Sequence, residues 1–426
     1  MSSMTTTLQF DNQMMSAQGE SHHGIHLATR EAHQDFISQA IQKVEAKVAA
    51  GEYGFISDLP SPDHLQEISA FAASLKWAKT LVVVGIGGSD LGGRAIQNAL
   101  ETSPTIQQVI FHGDTLDPDQ TTSLLAKIDP KTTLFAVISK SGGTTEIISS
   151  YLMWKAFYQA QGEGWQKHFV FVTDAKNGLL NQEASRYQIP FLPIPERMGG
   201  RFSVLSSVGL LPAAAMEIEA SQLVEGAREF FASEESRSLA YQLASDQYLL
   251  YQQGLKLVVL MPYLWRLEEF ARWFRQLWAE SLGKDGKGIL PIQARGPADQ
   301  HSQLQFYAQG EAMASIIFIG VDQVDRDYWL PLKPEPALDE LSGKSLHTLR
   351  QLQLKATRES LYEDGRPSTT ITLERLTPQA LGQLFALFEL SVVALAQMLE
   401  VNAFDQPGVE ASKKRLQALL DDASAK

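Results

Sequence analysis

The 426-residue chain contains no cysteine, which excludes disulfides, thiolate metal sites and cysteine nucleophiles and makes a reducing cytoplasm the expected compartment. It also lacks a basic excess: 36 Lys and Arg against 49 Asp and Glu leave a net charge of −13. A phosphate backbone needs a basic face, so nucleic acid is not an expected partner, and an anionic ligand requires a locally prepared pocket. No apolar run approaches the eighteen or so residues that span a bilayer, so no membrane association is expected. Residues 1–20 are polar, lack an apolar h-region and do not read as a signal peptide. No carboxylate lies at a zinc-site spacing from His22, His23 and His26, so these read as a solvated arm and no metal is expected.

What is present fits a soluble globular protein, with 44% hydrophobic and 20% charged residues. The length exceeds one ordinary core and predicts two domains. After a helical pattern over 31–49, short β-branched or aromatic runs alternate with helix-length segments. The runs are 81–84, 109–112, 133–138, 169–173 and 189–194, then 255–261, 289–292, 315–321 and 369–373. Continuous apolar strands alternating with helices predict parallel sheets covered on both faces, an α/β class. Further helices are expected over 338–355 and 378–399, and a proline-rich surface loop over 327–336. The chain therefore reads as a helical arm (1–50) followed by two tandem doubly wound units (51–212 and 213–426), the second carrying C-terminal helices.

Two glycine-rich turns follow predicted strands. The first, Gly85-Ile86-Gly87-Gly88-Ser89-Asp90-Leu91-Gly92-Gly93, has Asp90 where a dinucleotide fingerprint needs glycine, and Arg94 where a P-loop needs lysine. No nucleotide cofactor is expected. Such a turn either packs a helix closely on its strand or lets backbone N–H groups approach an anion at the helix N-terminus. The second, Ser139-Lys140-Ser141-Gly142-Gly143-Thr144-Thr145-Glu146, gathers hydroxyls, a lysine and two glycines ahead of a helix. An N-cap needs one hydroxyl, whereas this loop offers several, as a phosphate monoester would require. Adjacent parallel strands end on one side, so both loops reach one crevice.

With these turns the chain resembles the glucose-6-phosphate isomerases in their shorter bacterial form, over nearly its whole length. Three further stretches carry the resemblance in the family's order: Gly199-Gly200-Arg201-Phe202-Ser203, Gln276-Leu277-Trp278-Ala279-Glu280-Ser281-Leu282-Gly283-Lys284, and Phe404-Asp405-Gln406-Pro407-Gly408-Val409-Glu410-Ala411-Ser412-Lys413. The resemblance implies a tandem sugar-isomerase (SIS) fold, a homodimer with shared active sites, and cofactor-free interconversion of glucose 6-phosphate and fructose 6-phosphate in glycolysis and gluconeogenesis. It puts Gly88, Ser89, Ser139, Lys140, Ser141, Thr144 and Gln276 on the substrate and its phosphate, and Arg201, Glu280, His301 and Lys413 at catalytic positions. The sequence departs from longer relatives at Gly142-Gly143 and in the tract 296–301 before His301.

Residue chemistry alone would leave Glu280, His301 and Lys413 as solvated surface groups, and the resemblance gives them their roles. Arg272, Gln276 and Glu280 fall four apart, opposite an apolar stripe of Phe270, Phe274, Leu277 and Trp278. A glutamate on such a face is ordinarily solvated; as the base implied by the resemblance, it would move a proton between C1 and C2 through an enediol. Arg201 would stabilise the enediolate charge, and His301 with Lys413 would serve ring opening. The open alternatives are an enzyme that also takes mannose 6-phosphate and a non-catalytic sugar-phosphate-binding protein of the same fold. A sensor would not need Glu280, Arg201 and His301 together.

Overall fold

The run Thr80–Val84 is buried at every residue, as a strand covered on both faces must be. It is β2 in the computed structural model, which describes residues 8–19, 22–100, 108–332 and 340–424. A short strand β1 (Leu8–Asp11) precedes it, and β3 (Gln108–His112), β4 (Thr133–Ser139), β5 (Phe169–Asp174) and β6 (Phe191–Ile194) follow. Strands β2 to β6 form one parallel sheet in the order β3-β2-β4-β5-β6. In the second half, β7 (Leu257–Pro262), β8 (Leu290–Gln293), β9 (Ala314–Val321) and β10 (Ser368–Leu373) make a second parallel sheet, ordered β10-β9-β7-β8. The nine expected strands all occur, within two residues of their expected limits, and the architecture is α/β with two parallel sheets.

Helix Pro378–Leu399 runs through the core against helices Ala220–Ala232 and Glu234–Gln252. Phe385 and Phe388 meet Phe270 at 5.2 and 5.6 Å between ring centroids, which binds this helix to helix Glu268–Leu282. Contrary to the expectation from apolar runs, this one helix is long and apolar enough to cross a membrane, but 94% of its most apolar window is buried inside the protein. It is a core helix.

Two local expectations are corrected. The segment before the first long helix (Leu27–Ala49) is not a solvated arm. Strand β1 pairs antiparallel with β10, Asp11 meets Arg358 at 2.8 Å and Asn12 donates to Asp246 at 3.1 Å. His22 is buried; the Gly24 N–H donates to its Nδ1 and its Nε2 faces the Tyr362 carbonyl at 3.1 Å. Burial also lowers the His22 pKa, which keeps the ring neutral for that bond. The helix expected over 338–355 instead spans Leu346–Glu363, because Ser345 caps it by accepting from the Thr348 N–H at 3.1 Å; Leu338 lies outside the described residues.

Glu389, midway along the core helix, is fully buried, and neither carboxyl oxygen has a hydrogen-bond partner among the described residues. Burial pushes its carboxyl well above the usual range. As pH rises past the unfolded pKa, the unfolded chain ionises here while the folded chain does not. Stability is therefore lost with rising pH until the folded pKa is reached. Glu389→Gln removes that slope. Its advantage over the parent should grow between pH 5 and 8, by at most about 1.4 kcal/mol per pH unit. Urea denaturation across that range checks this; parallel pH profiles would exclude a neutral buried acid.

Candidate active site

Gly87 has φ +59°, and a Cβ there would lie 2.7 Å from the Gln276 Nε2. A Cβ on Gly88 would lie 2.3 Å from the backbone carbonyl of Gly200. Glycine at both positions therefore lets the first turn press its backbone against two other elements. One is the bend Gly200–Phe202, which carries Arg201; the other is helix Glu268–Leu282. That helix buries Phe270, Trp273, Phe274, Leu277 and Trp278, and its opposite face turns Gln276 and Glu280 toward the junction.

Both Glu280 oxygens are held there. Gln276 Nε2 donates to Oε1 at 3.1 Å, and Arg201 Nη1 donates to Oε2 at 3.3 Å. The carboxylate side chain still keeps 32% of its surface exposed, whereas the guanidinium side chain keeps 4%. Arg201 has five N–H donors, and each finds a protein acceptor. Nε donates to Ser281 Oγ at 2.8 Å, and Nη1 also reaches Gln406 Oε1 at 2.9 Å. Nη2 takes the Ala403 carbonyl and the Asp405 carbonyl, the latter at 3.0 Å. Burial lowers the Arg201 pKa, opposed chiefly by the charge of Glu280.

The second turn begins at Ser139, buried at the end of β4. Register pairs Val84 with Val137, so β2 and β4 deliver their turns to one edge. The Thr144 hydroxyl lies 3.4 Å from Ser139 Oγ and 3.5 Å from Ser141 Oγ. Thr144 occupies the N-cap of helix Thr145–Gln159, yet its side chain makes no capping bond. The hydroxyls thus converge on one another while the helix's first N–H groups receive no side-chain cap, an arrangement suited to an oxyanion.

Lys140 also makes contacts outside the turn. Its ammonium donates to the Glu196 and Met198 carbonyls at 2.7 and 2.9 Å, so it ties this turn to the segment leading into Arg201. Burial lowers its pKa, against the pull of Asp174 and Glu196. The double substitution Ser139→Ala with Thr144→Ala should raise KM for a sugar phosphate by about 10–100-fold, the range for losing a hydrogen bond to a charged group. Turnover should fall as well, because the phosphate positions the reacting carbons. Unchanged kinetics with a lowered Tm would reduce the loop to a structural turn.

Other residues complete the picture. Ser89 closes the short turn Gly87–Ser89. Asp90 is buried against Arg94 at 2.6 Å, and burial pushes its carboxyl up to about 6. His301 ends the turn Ala298–His301 on the exposed surface, and Lys413 sits on the exposed helix Pro407–Ser424, paired with Glu410 at 2.8 Å. Neither hydrogen-bonds to Glu280 or Arg201 among the described residues. Gln406 and Ser281, by contrast, do hydrogen-bond to Arg201 and were not singled out from sequence; both lie inside stretches already quoted, where only a contact across some 200 or 80 positions distinguishes them. Among the described residues no group of three or more His, Asp or Glu is disposed to hold a metal ion.

A family model described as phosphoglucose isomerase matches residues 10–426. A protein of Carboxydothermus hydrogenoformans named glucose-6-phosphate isomerase is 35% identical over 418 residues, covering 92% of this chain and 89% of its own. A solved structure of a hypothetical protein from Thermus thermophilus superposes with a TM-score of 0.85 at 30% identity, over 97% of this chain and 99% of that one. A glucose-6-phosphate isomerase from Chlamydia trachomatis superposes with a TM-score of 0.76 at 25% identity, over 87% and 75% of the two chains.

Proposed function

The chain belongs to the phosphoglucose isomerase family, and from that premise we propose that it interconverts glucose 6-phosphate and fructose 6-phosphate at the junction around Glu280. The observation that carries this reading is the state of that carboxylate: both oxygens are oriented by donors, yet a third of the side chain remains open to a substrate. A solvated surface glutamate would not have both oxygens fixed, nor its orienting Gln276 pressed against a glycine turn.

In the opened aldose, Glu280 takes the proton from C2. The released electron pair forms the C1–C2 double bond, and O1 gains a proton, giving the cis-enediol. The same group, now protonated, returns its proton to C1 while O2 gives its own to solvent, replacing the proton that O1 drew from solvent, and becomes the ketone. One carboxylate placed over both carbons serves both transfers. The Ser139, Ser141 and Thr144 hydroxyls, with Gly88 and Ser89 of the first turn, hold the phosphate end. Gln276 orients the base. Lys140 acts as a tether between the second turn and the Arg201 bend. Proton exchange at O1 and O5 during ring opening falls to His301 and Lys413. The test is a coupled assay of purified, chelator-treated protein with fructose 6-phosphate; turnover is expected, and its absence, or a dependence on added zinc, would overturn the reading.

The exposure of His301, which has no hydrogen bond to Glu280 or Arg201 among the described residues, supports a two-fold homodimer in which each chain lends its histidine to the other's site. Mixing inactive Glu280→Gln and His301→Ala chains then assembles one intact site in each mixed dimer. With random pairing half the dimers are mixed, so about a quarter of parental activity should return. With exchange verified by mass-tagged chains, activity that stays at the sum of the two variants would put both residues in one chain's site.

A further inference from the structure

The second sheet ends in a cavity lined by none of the residues assigned above to this reaction. Strands β7, β9 and β10 are parallel neighbours, so the segments that follow them leave the sheet at one edge. There, residues 264–266, Val321, residues 323–326 and residues 375–376, with Arg350 from the helix Leu346–Glu363, enclose about 530 Å³. A smaller recess of about 120 Å³, which shares Val321 and Arg350 and is also lined by the Asp322 carboxylate, lies alongside. Ligands of doubly wound sheets bind at this carboxyl edge, and a cavity of this volume falls within the range that takes small molecules.

The lining is unlike the rest of the molecule. In a chain of net charge −13, four arginines face this space (Arg266, Arg326, Arg350 and Arg375), against one lining carboxylate, Asp325. Asp325 is engaged by Arg375 at 3.1 Å. Arg350 donates to His347 Nδ1 at 2.8 Å rather than to an acid. Arg266 and Arg326 form no ion pair among the described residues. Burial lowers the pKa of both Arg266 and Arg350, opposed only by Asp325 and Asp327 respectively. Partly desolvated guanidinium groups without carboxylates are unfavourable until an oxyanion completes them, and their planar forks suit phosphate.

We propose that this cavity binds a small phosphorylated metabolite, its phosphate on Arg266, Arg326 and Arg350 and its carbon skeleton against Trp265 and Leu376. A polyanion is disfavoured, because the concave site sits in a surface whose overall charge repels extended phosphate chains. The site is distinct from the isomerase centre. It opens beside the N-terminal end of helix Glu268–Leu282, whereas Glu280 lies twelve residues further on, roughly 18 Å along the axis.

Calorimetric titration of the full chain tests this with glycerol 3-phosphate as probe, and with inorganic phosphate as the arm that lacks a skeleton. Two binding events per chain are expected with glycerol 3-phosphate. Ser139→Ala with Thr144→Ala should weaken one, and the exposed-site variant Arg326→Ala should weaken the other by about tenfold. Arg326→Glu should abolish that second event at unchanged Tm, and raised salt should weaken it. Inorganic phosphate binding as tightly as glycerol 3-phosphate would overturn the metabolite assignment. A single event that Arg326→Glu leaves intact, as when a second copy of the chain covers the cavity, would overturn the site itself.

Discussion

Replacing Glu280 by glutamine should lower turnover by about 10²–10⁴ or more, while leaving the affinity for a substrate analogue nearly unchanged. The geometry makes this a clean substitution. A glutamine at 280 can keep its oxygen toward Arg201 Nη1 and turn its NH₂ toward Gln276. The Gln276 Oε1 is buried and has no hydrogen-bond partner among the described residues, so rotating that amide supplies the acceptor the new NH₂ needs. The hydrogen-bond frame survives, the charge and the proton acceptor do not. Solvent deuterium incorporation at C2 should fall in parallel with turnover. Exchange persisting at the parental rate in Glu280→Gln would assign the proton transfer to another group.

The parts of this site that were legible in the sequence are those fixed by short-range rules. Strand-turn-helix chemistry identified both glycine-rich turns, and four-residue spacing put Gln276 and Glu280 on one helix face, where they hydrogen-bond. Continuous apolar runs marked the inner strands because both faces of each sheet are covered there; the outer strands β3, β6 and β8 are partly exposed and were marked by their place in the strand–helix alternation. Strand β1 escaped notice because its four residues, Leu8-Gln9-Phe10-Asp11, are half-exposed at a sheet edge and are specified by pairing with β10, some 360 positions away. The Lys140 ammonium also donates to two backbone carbonyls, contacts that leave no trace in residue type. The same holds for the carbonyls of Ala403 and Asp405 that receive Arg201. The helix over 346–363 was misplaced because its apolar spacing begins before the residue that caps it, Ser345.

Arg201→Lys should lower turnover by about 10²–10³, although it preserves the positive charge. The sequence suggests an arginine that offers free donors to the enediolate, but here all five of its N–H groups are already directed at protein acceptors. On the proposed mechanism it would act on the charge of the intermediate as a fixed, desolvated cation, held by the same contacts that orient Glu280 and clamp residues 403–406. A lysine has three donors on one nitrogen and no planar fork, so it cannot reach Ser281, Glu280, Gln406 and two carbonyls at once. At least two buried acceptors lose their partner, and Tm should fall along with activity. Because the segment 403–406 leads directly into the helix that carries Lys413, trypsin should also cleave beyond Gln406 faster in the variant. Steady-state kinetics, calorimetry and timed proteolysis separate the outcomes. If charge alone were required, Arg201→Lys would retain turnover within about threefold and the proteolysis rate would not change; if the clamp is what matters, all three readouts move together, and Gln406→Ala, which removes one acceptor and leaves the charge, should reproduce a fraction of each.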